Sequence, residues 1–170
     1  MSIQITAKQE SSRMCFVCGL KNSLGLHTSF YELEDGQLYA TFTPREAHQG
    51  YPDRLHGGIA AAVLDETIGR AVLIDQQEVW GVTVEFSIRY RKPVPLGEEI
   101  RVVGRITRDT RRLFEGSGEI LLPDGQVAVE GAGKYLKMPL DDIADFDYQT
   151  QEWKVVLSEN DPTEVDFRAG

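Results

Sequence analysis

The sequence predicts an α+β domain in which a curved antiparallel sheet wraps around one long central helix. Residues 57–74 are rich in Ala, Leu and Ile, contain no proline and are apolar on almost every side, which is typical of a helix buried in a core. Strand-like segments follow this helix, and glycines cluster in the last two of them, which permits strong curvature. A helix that is apolar all round needs a sheet that covers it on several sides.

The segment 80–90 is the most regular strand candidate, because apolar and polar residues alternate strictly along it. Such alternation is typical of an antiparallel strand with one buried face. One face is expected to carry Trp80, Val82, Val84, Phe86, Ile88 and Tyr90. The other face is expected to carry Thr83, Glu85, Ser87 and Arg89.

The remaining strands are placed by their turns. Residues 24–43 are predicted to form a hairpin around the turn residues Glu34, Asp35 and Gly36, and residues 44–55 a loop. Further strands are predicted at 99–108, 112–122 and 126–138, the last two joined by a Pro-Asp-Gly turn. Pairing through that turn would bring together the four glycines Gly116, Gly118, Gly131 and Gly133.

Length and charge limit the classes of protein to which the chain can belong. Its 170 residues fit one domain, and its net charge of −9 makes it a poor nucleic-acid binder. Residues 141–170 contain nine acids against Lys154 and Arg168 and are interpreted as solvated surface. No apolar run approaches the ~20 residues that span a bilayer, and the first residues lack a signal-peptide core, so we expect a cytoplasmic protein without membrane contact.

The two cysteines, Cys15 and Cys18, form a CxxC pair in CFVC. Such a pair can be redox-active or can supply half of a zinc site, but a zinc site needs two more ligands and the three histidines show no partner spacing. A thioredoxin-like pair would open a helix, whereas a glycine and a turn follow here. Structural packing is therefore the preferred interpretation, with metal and redox roles as alternatives.

Three segments carry a resemblance to a known family: CFVCGLKNSLGL (15–26), HQGYPDRLHGGIAAAVLDETIG (48–69) and GVTVEFSIRYRKPVPLGE (81–98). Through them the chain resembles the hotdog-fold acyl-CoA thioesterases related to the phenylacetyl-CoA thioesterase group. The resemblance implies a hotdog domain at 24–138, between an amino-terminal segment 1–23 and an acidic extension 139–170. It also implies a homodimer or homotetramer that hydrolyses acyl-CoA, with no metal and with no cofactor other than the CoA of the substrate.

The expected chemistry combines a donor for the developing oxyanion with a carboxylate. The resemblance assigns the donor to the backbone of Gly57, supported by Gly58, at the start of the helix, where unpaired N–H groups point outward. The alternative is that both glycines merely begin a buried helix. The carboxylate implied by the family position is Asp65, nine residues after His56.

Helix geometry separates these two groups within one chain. Nine residues advance a helix by ~13.5 Å and place His56 and Asp65 on opposite faces, while Gly58, on the same face as Asp65, is ~10 Å away along the axis. One helix cannot bring its own start and its own Asp65 to a single thioester. If both act on one substrate, the carboxylate comes from a second copy of the chain.

The other site candidates are weighed against simpler interpretations. Glu66 is the rival carboxylate, but an i,i+4 ion pair with Arg70 explains it, whereas Asp65 in apolar company should have a perturbed pKa. His56 is interpreted as shaping the helix start more than as an acid–base group. Thr83 matches a family position that helps to place water, although Thr is also a favoured strand residue.

Two further expectations concern the substrate. Related enzymes often carry Asn or Gln six residues ahead of the His, where this chain has Gly50, and the neighbouring Gln49 is the candidate substitute. Arginine suits phosphate oxygens, so candidate contacts for CoA are Arg89, Arg91, Lys92, Arg111 and Arg112. The competing functions are a non-catalytic acyl-CoA-binding module, a hotdog hydratase or dehydratase, and a CxxC-centred zinc or redox protein.

Overall fold

The computed structural model describes residues 2–145 and 147–167, which form one eight-stranded antiparallel sheet packed on one long helix. The elements, numbered along the chain, are β1 Ile3–Lys8, β2 Ser29–Leu33, β3 Leu38–Phe42, α1 Gly57–Arg70, β4 Trp80–Tyr90, β5 Ile100–Asp109, β6 Leu113–Leu121, β7 Val127–Met138, α2 Leu140–Ile143 and β8 Glu164–Val165. Single 3₁₀ turns lie at Glu46–His48 and Ala71–Ile74. Among the described residues, no helix has the length and hydropathy that crossing a bilayer requires.

The strand order β4-β7-β6-β5-β3-β2-β1-β8 curves around α1, which contacts the strands from β3 to β7. This arrangement is the hotdog fold, so the predicted fold class is confirmed. The predicted hairpin, helix and four later strands all form, with ends that differ by a few residues from the expected ones.

The helix approaches the sheet closely because glycines lie under it. Gly116 pairs with Gly133 and Gly118 with Gly131, as the turn between β6 and β7 predicted. A Cβ atom at Gly116 would lie 2.5 Å from Cγ2 of Ile68, a fully buried residue of α1. The glycines therefore form a floor on which Ile68 rests directly, and Gly104 of β5 completes this glycine floor, because a Cβ atom there would lie 3.0 Å from the backbone oxygen of Thr67 in α1.

The predicted faces of β4 are wrong at one point. Thr83 pairs with Tyr135 and Glu85 with the next residue, Lys134, so Val84 is an extra residue in a β-bulge and is 58% exposed. After the bulge Phe86 pairs with Gly133. Because Tyr135 and Gly133 share a face of β7, Thr83 and Phe86 share the helix-facing side of β4, where strict alternation placed them on opposite sides.

Both terminal segments extend the sheet. β1 pairs with β2 on one side and with β8 on the other, and neither strand was predicted. The acidic tail, interpreted as solvated surface, is held to the body by Lys8, whose ammonium contacts Asp161 at 2.6 Å. Tyr31 also donates a hydrogen bond to Asp161. Arg168, one of the two tail cations, lies outside the described residues.

We expect the replacement Gly116→Ala to destabilise the fold by about 1–3 kcal/mol, because the new methyl group would overlap Ile68 and the backbone oxygen of Arg105. Ser117→Ala, one residue further along β6, is the matched control, and we expect it to change stability far less. Urea unfolding followed by circular dichroism measures both. Equal stability of the two variants would contradict the close packing of α1 on this glycine.

Candidate active site

Asp65 lies in the middle of α1 and receives hydrogen bonds from two strands. The Thr83 hydroxyl on β4 donates to the two carboxylate oxygens at 2.9 and 3.1 Å. The Tyr135 hydroxyl on β7 donates to Oδ1 at 3.1 Å. Since Thr83 and Tyr135 are partners in the β4–β7 ladder, the strand register delivers both donors to one carboxylate.

The environment of Asp65 pushes its pKa in two directions. Burial raises the pKa of the carboxyl, the hydrogen bonds from Thr83 and Tyr135 lower it, and the charge of Glu66 raises it again, with a net upward shift. The expectation of a perturbed pKa in apolar company agrees with this direction. A carboxylate that is only partly hydrated and is held by two hydroxyls can act as a base or as a nucleophile.

Tyr135 was missed in the sequence. Its ring is 1% exposed and stacks on Phe114 with centroids 4.8 Å apart, which fixes the position of the hydroxyl. Burial, followed by the neighbouring charge of Asp65, raises the pKa of the phenol, so it stays protonated and donates. No motif or spacing indicates this role, because it depends on which β7 residue lies opposite Thr83.

The start of α1 offers one unoccupied backbone donor. His56 is the N-cap, and its Nδ1 accepts a hydrogen bond from the Gly58 N–H at 2.9 Å, which gives this histidine a structural role. Within residues 2–145 and 147–167, the Gly57 N–H has no acceptor. Of the two predicted glycine donors, the structure therefore leaves Gly57 available and engages Gly58.

The loop before the helix explains the glycine that departs from the related enzymes. A Cβ atom at Gly50 would lie 3.0 Å from Cα of His56, so a larger residue at this position would press on the helix cap. The side chain of Gln49 is turned into the loop, where its oxygen accepts from the Asp53 N–H at 3.0 Å. The predicted substitute is thus engaged in shaping the loop through its carbonyl group.

A cleft of about 370 Å³ opens beside the helix start, with largely apolar walls that include three cationic residues, and is called the basic cleft below. Gly57 and Tyr90 line it together with Arg91 and Lys92, two of the predicted phosphate contacts, and with Arg54, which the sequence reasoning missed. Arg91 forms an ion pair with Glu130 at 2.8 Å. Cations beside a free helix N-terminus create a region that attracts anions.

The other predicted cations lie elsewhere. Arg89 is exposed on β4 and does not line the cleft. Arg111 and Arg112 lie in the turn between β5 and β6, near Leu136 of β7, whereas Tyr90 lies opposite Val129. Val129 and Leu136 are seven residues apart on β7, which corresponds to ~23 Å along the strand. One chain therefore does not bring the five cations together.

Glu66 has the partners that the sequence indicated. Its carboxylate accepts from Nε of Arg70 at 2.9 Å in an i,i+4 pair and contacts Sγ of Cys15 at 3.5 Å. Sulfur atoms of Cys15 and Cys18 and a Glu66 oxygen lie within 4.8 Å of one another, the only such group of three potential metal ligands in the described part of the chain.

Asp65 and Gly57 belong to the same continuous helix of 14 residues. Eight residues separate them, which corresponds to ~12 Å along the axis. The carboxylate opens into a cavity of about 240 Å³ that Thr83, Tyr135 and Cys15 help to line, whereas Gly57 opens into the basic cleft. Each chain therefore has two half-sites with complementary chemistry.

Comparison with known proteins agrees with this geometry. The thioesterase superfamily profile matches residues 53–129. Acyl-coenzyme A thioesterase 13 of Mus musculus is 31% identical over 84 residues, which cover 49% of this chain and 60% of that protein, so the match spans less than two thirds of the relative.

Solved structures extend the likeness beyond the matched segment. A thioesterase superfamily protein is 32% identical with a TM-score of 0.68 and covers 73% of this chain and 60% of its own. A Bacillus halodurans protein solved with CoA is 25% identical with a TM-score of 0.58 and covers 64% of this chain and 72% of its own. In its hotdog sheet, its His-Gly-Gly helix start and the placement of Asp65, the chain is thus similar to proteins of the thioesterase superfamily.

Proposed function

We propose that the protein hydrolyses acyl-CoA thioesters at sites formed between two copies of the chain. The free Gly57 N–H at the start of α1 in one protomer would bind the thioester carbonyl oxygen. Asp65 of the other protomer would attack the carbonyl carbon or remove a proton from an attacking water. Collapse of the tetrahedral intermediate expels CoA as the thiolate, which takes up a proton. With water as the nucleophile this step leaves the free acid, whereas with Asp65 as the nucleophile it leaves a mixed anhydride that water then hydrolyses to the free acid and the Asp65 carboxylate.

The separation of the two half-sites is the observation that carries this proposal. A thioester carbonyl that accepts from Gly57 cannot reach the Asp65 ~12 Å further along the same rigid helix. Two α1 helices lying antiparallel would place each start against the other's Asp65. The arrangement then contains two equivalent sites related by a two-fold axis.

The edge of the sheet supports this assembly. In the described residues β4 pairs only with β7, so its other edge is open, and its apolar residues Val84 and Tyr90 are 58% and 52% exposed. An open edge with exposed apolar side chains favours pairing with a second strand. Since Thr83 and Tyr90 lie on β4, joining two such edges would bring both half-sites to the interface.

The basic cleft supports a CoA ester as substrate. Arg54, Arg91 and Lys92 surround the cleft beside Gly57 and can neutralise phosphate oxygens of the CoA moiety. Arg111 and Arg112 lie beside Leu136, next to the Tyr135 that binds Asp65. In the antiparallel pair, these two arginines of one protomer would therefore approach the basic cleft of the other. The name of the mouse relative and the CoA in the Bacillus halodurans structure agree with this substrate class.

We expect Asp65→Asn to lower thiol release from a panel of acyl-CoA esters by about 10²–10⁴-fold, because the base or nucleophile is lost. The fold should persist, since removing a charge whose pKa is raised by burial relieves a cost of folding that is present above that pKa. Asp75→Asn, an exposed position just after the helix, is the matched control. Full activity of Asp65→Asn, measured with a thiol reagent, would exclude Asp65 from the reaction.

The hydrogen bonds to Asp65 should set the acid side of the pH–rate profile. Thr83→Val removes a donor that lowers the pKa of Asp65, so the pH below which kcat/KM falls should move upward. Thr83→Ser keeps the hydroxyl and should restore the wild-type profile. A uniform loss of rate at every pH, with no shift of the acid limb, would contradict this role of Thr83.

Replacing Gly57 by proline tests the backbone donor directly. Proline at the first helical position removes the N–H but suits the helix start, and His56 already has the extended backbone (ψ 133°) that precedes proline. We expect Gly57→Pro to lower kcat by about 10²–10³-fold. Gly57→Ala keeps the N–H and adds the same Cβ contact with Tyr90, so it should lose far less.

Mixed dimers distinguish sites between chains from sites within one chain. A dimer of one Asp65→Asn chain and one Gly57→Pro chain contains one intact site only if each site uses both protomers. Co-expression with two affinity tags isolates this dimer, and we expect it to regain half of the wild-type rate. If the mixed dimer is as inactive as each variant alone, the shared-site arrangement is excluded, while hydrolysis itself is tested independently by the single variants.

A further inference from the structure

The two cysteines are not used by the proposed reaction, yet they are held in one compact turn at the far end of α1. The Cys15 carbonyl accepts from the Gly19 N–H at 2.8 Å, which folds the CxxC segment into one helical-type turn. The turn needs Gly19, because a Cβ atom there would lie 2.3 Å from the Cys15 oxygen. The two Sγ atoms consequently lie within 4.8 Å of each other.

A buried cation stands beside this pair. Arg70 is 4% exposed, and its guanidinium packs over the rings of Phe30 and Trp153 at 4.5 and 5.2 Å. Its Nη2 donates to Sγ of Cys18 at 3.1 Å, and its Nε donates to Glu66. The aromatic packing and the two hydrogen bonds fix a positive charge at the buried sulfur, which favours the thiolate form.

The two thiols differ in acidity. The neighbouring Cys15 thiol, assisted by the charge of Arg70, lowers the pKa of Cys18 against the opposing effects of burial and Glu66. The neighbouring Cys18, followed by burial and the charge of Glu66, raises the pKa of Cys15. Both directions favour a thiolate at Cys18 over a thiolate at Cys15, in agreement with the guanidinium that donates to Cys18.

Access to the two sulfurs is unequal. Cys18 is completely buried, whereas Cys15 is half-buried and lines the cavity next to Asp65. A small molecule that enters this cavity meets Cys15 first, with the Cys18 thiolate directly behind it. This order matches an attacking and a resolving cysteine.

We propose that Cys15 and Cys18 form a reversible intramolecular disulfide in exchange with a small organic disulfide, such as an oxidised low-molecular-weight thiol. Transfer of the Cys15 proton to the Cys18 thiolate gives the Cys15 thiolate, which attacks one sulfur of the small disulfide and releases the other half as a thiolate. That thiolate takes up the proton of Cys18, and the Cys18 thiolate then attacks Sγ of Cys15 and releases the second thiolate, which is protonated by water. Two protein thiols are oxidised and one small disulfide is reduced to two thiols.

A metal site fits the same atoms less well. Zinc in structural sites takes four ligands, and the described residues supply Cys15, Cys18 and Glu66. Arg70 donates to two of these three groups and is buried, so its fixed charge opposes a cation. The chemistry of the cluster therefore favours thiol exchange.

The test is a redox titration of the full chain in mixtures of reduced and oxidised glutathione. Free thiols are trapped with a maleimide and counted by mass spectrometry, a readout that does not depend on thioester hydrolysis. We expect both thiols to disappear together, without retained glutathione and without crosslinked chains, and to return on reduction. Two thiols that stay reactive at every ratio, or one that stays modified by glutathione, would show that the pair does not form a disulfide.

Single variants assign the two roles. Cys18→Ser lacks the resolving thiolate, so it should accumulate a stable glutathione adduct at Cys15. Cys15→Ser leaves only the buried sulfur and should remain unmodified under the same conditions. The reverse pattern would refute the assignment, and stoichiometric zinc released from wild-type protein on thiol labelling would replace it with a metal site.

Discussion

The close contact between α1 and the glycine floor of the sheet determines where the functional groups of the helix, Gly57 and Asp65, lie. Ile68 rests on Gly116 and Gly118, where any side chain would overlap it. The position of the helix relative to the sheet is therefore fixed, and its 14 residues form one rigid element. Because Gly57 and Asp65 belong to this one element, no local movement can close the ~12 Å between them.

The β-bulge at Val84 is the second feature on which the site depends. Without the extra residue, Thr83 would face away from the helix and Asp65 would lose one of its two hydroxyl donors. The pKa of Asp65 would then lie higher, because only the hydrogen bond from Tyr135 would still oppose the effect of burial. The bulge thus adjusts how strongly the carboxylate is held in its charged form, through a single backbone irregularity next to the site.

The far end of the helix is closed by both ends of the chain. Arg70 lies between Phe30 of β2 and Trp153 of the tail, and Cys18 of the amino-terminal segment accepts from it. Trp153 and Cys15 also line the Asp65 cavity. A substitution at Cys15 or Trp153 would consequently change the walls of this cavity, so the two terminal segments contribute to the site as well as to the sheet.

The sequence by itself determined the helix, the hairpin and the glycine pairing, because each depends on local periodicity or on the short spacing between neighbouring elements. It indicated Asp65 as the candidate carboxylate only through the resemblance to a family position. It also determined that Gly57 and Asp65 cannot serve one substrate within one chain. The cytoplasmic location, the absence of a metal and the division into three segments remain predictions.

Only the tertiary structure decided the face of Thr83, the role of Tyr135, the engagement of Gly58 by His56 and the two outer strands β1 and β8. The physical reason is that each of these depends on which residues meet across elements distant in the sequence. Strand register brings Tyr135 opposite Thr83, and a bulge that no residue pattern marks turns Thr83 toward Asp65. Periodicity describes one strand at a time, whereas the carboxylate is held by contacts among three elements.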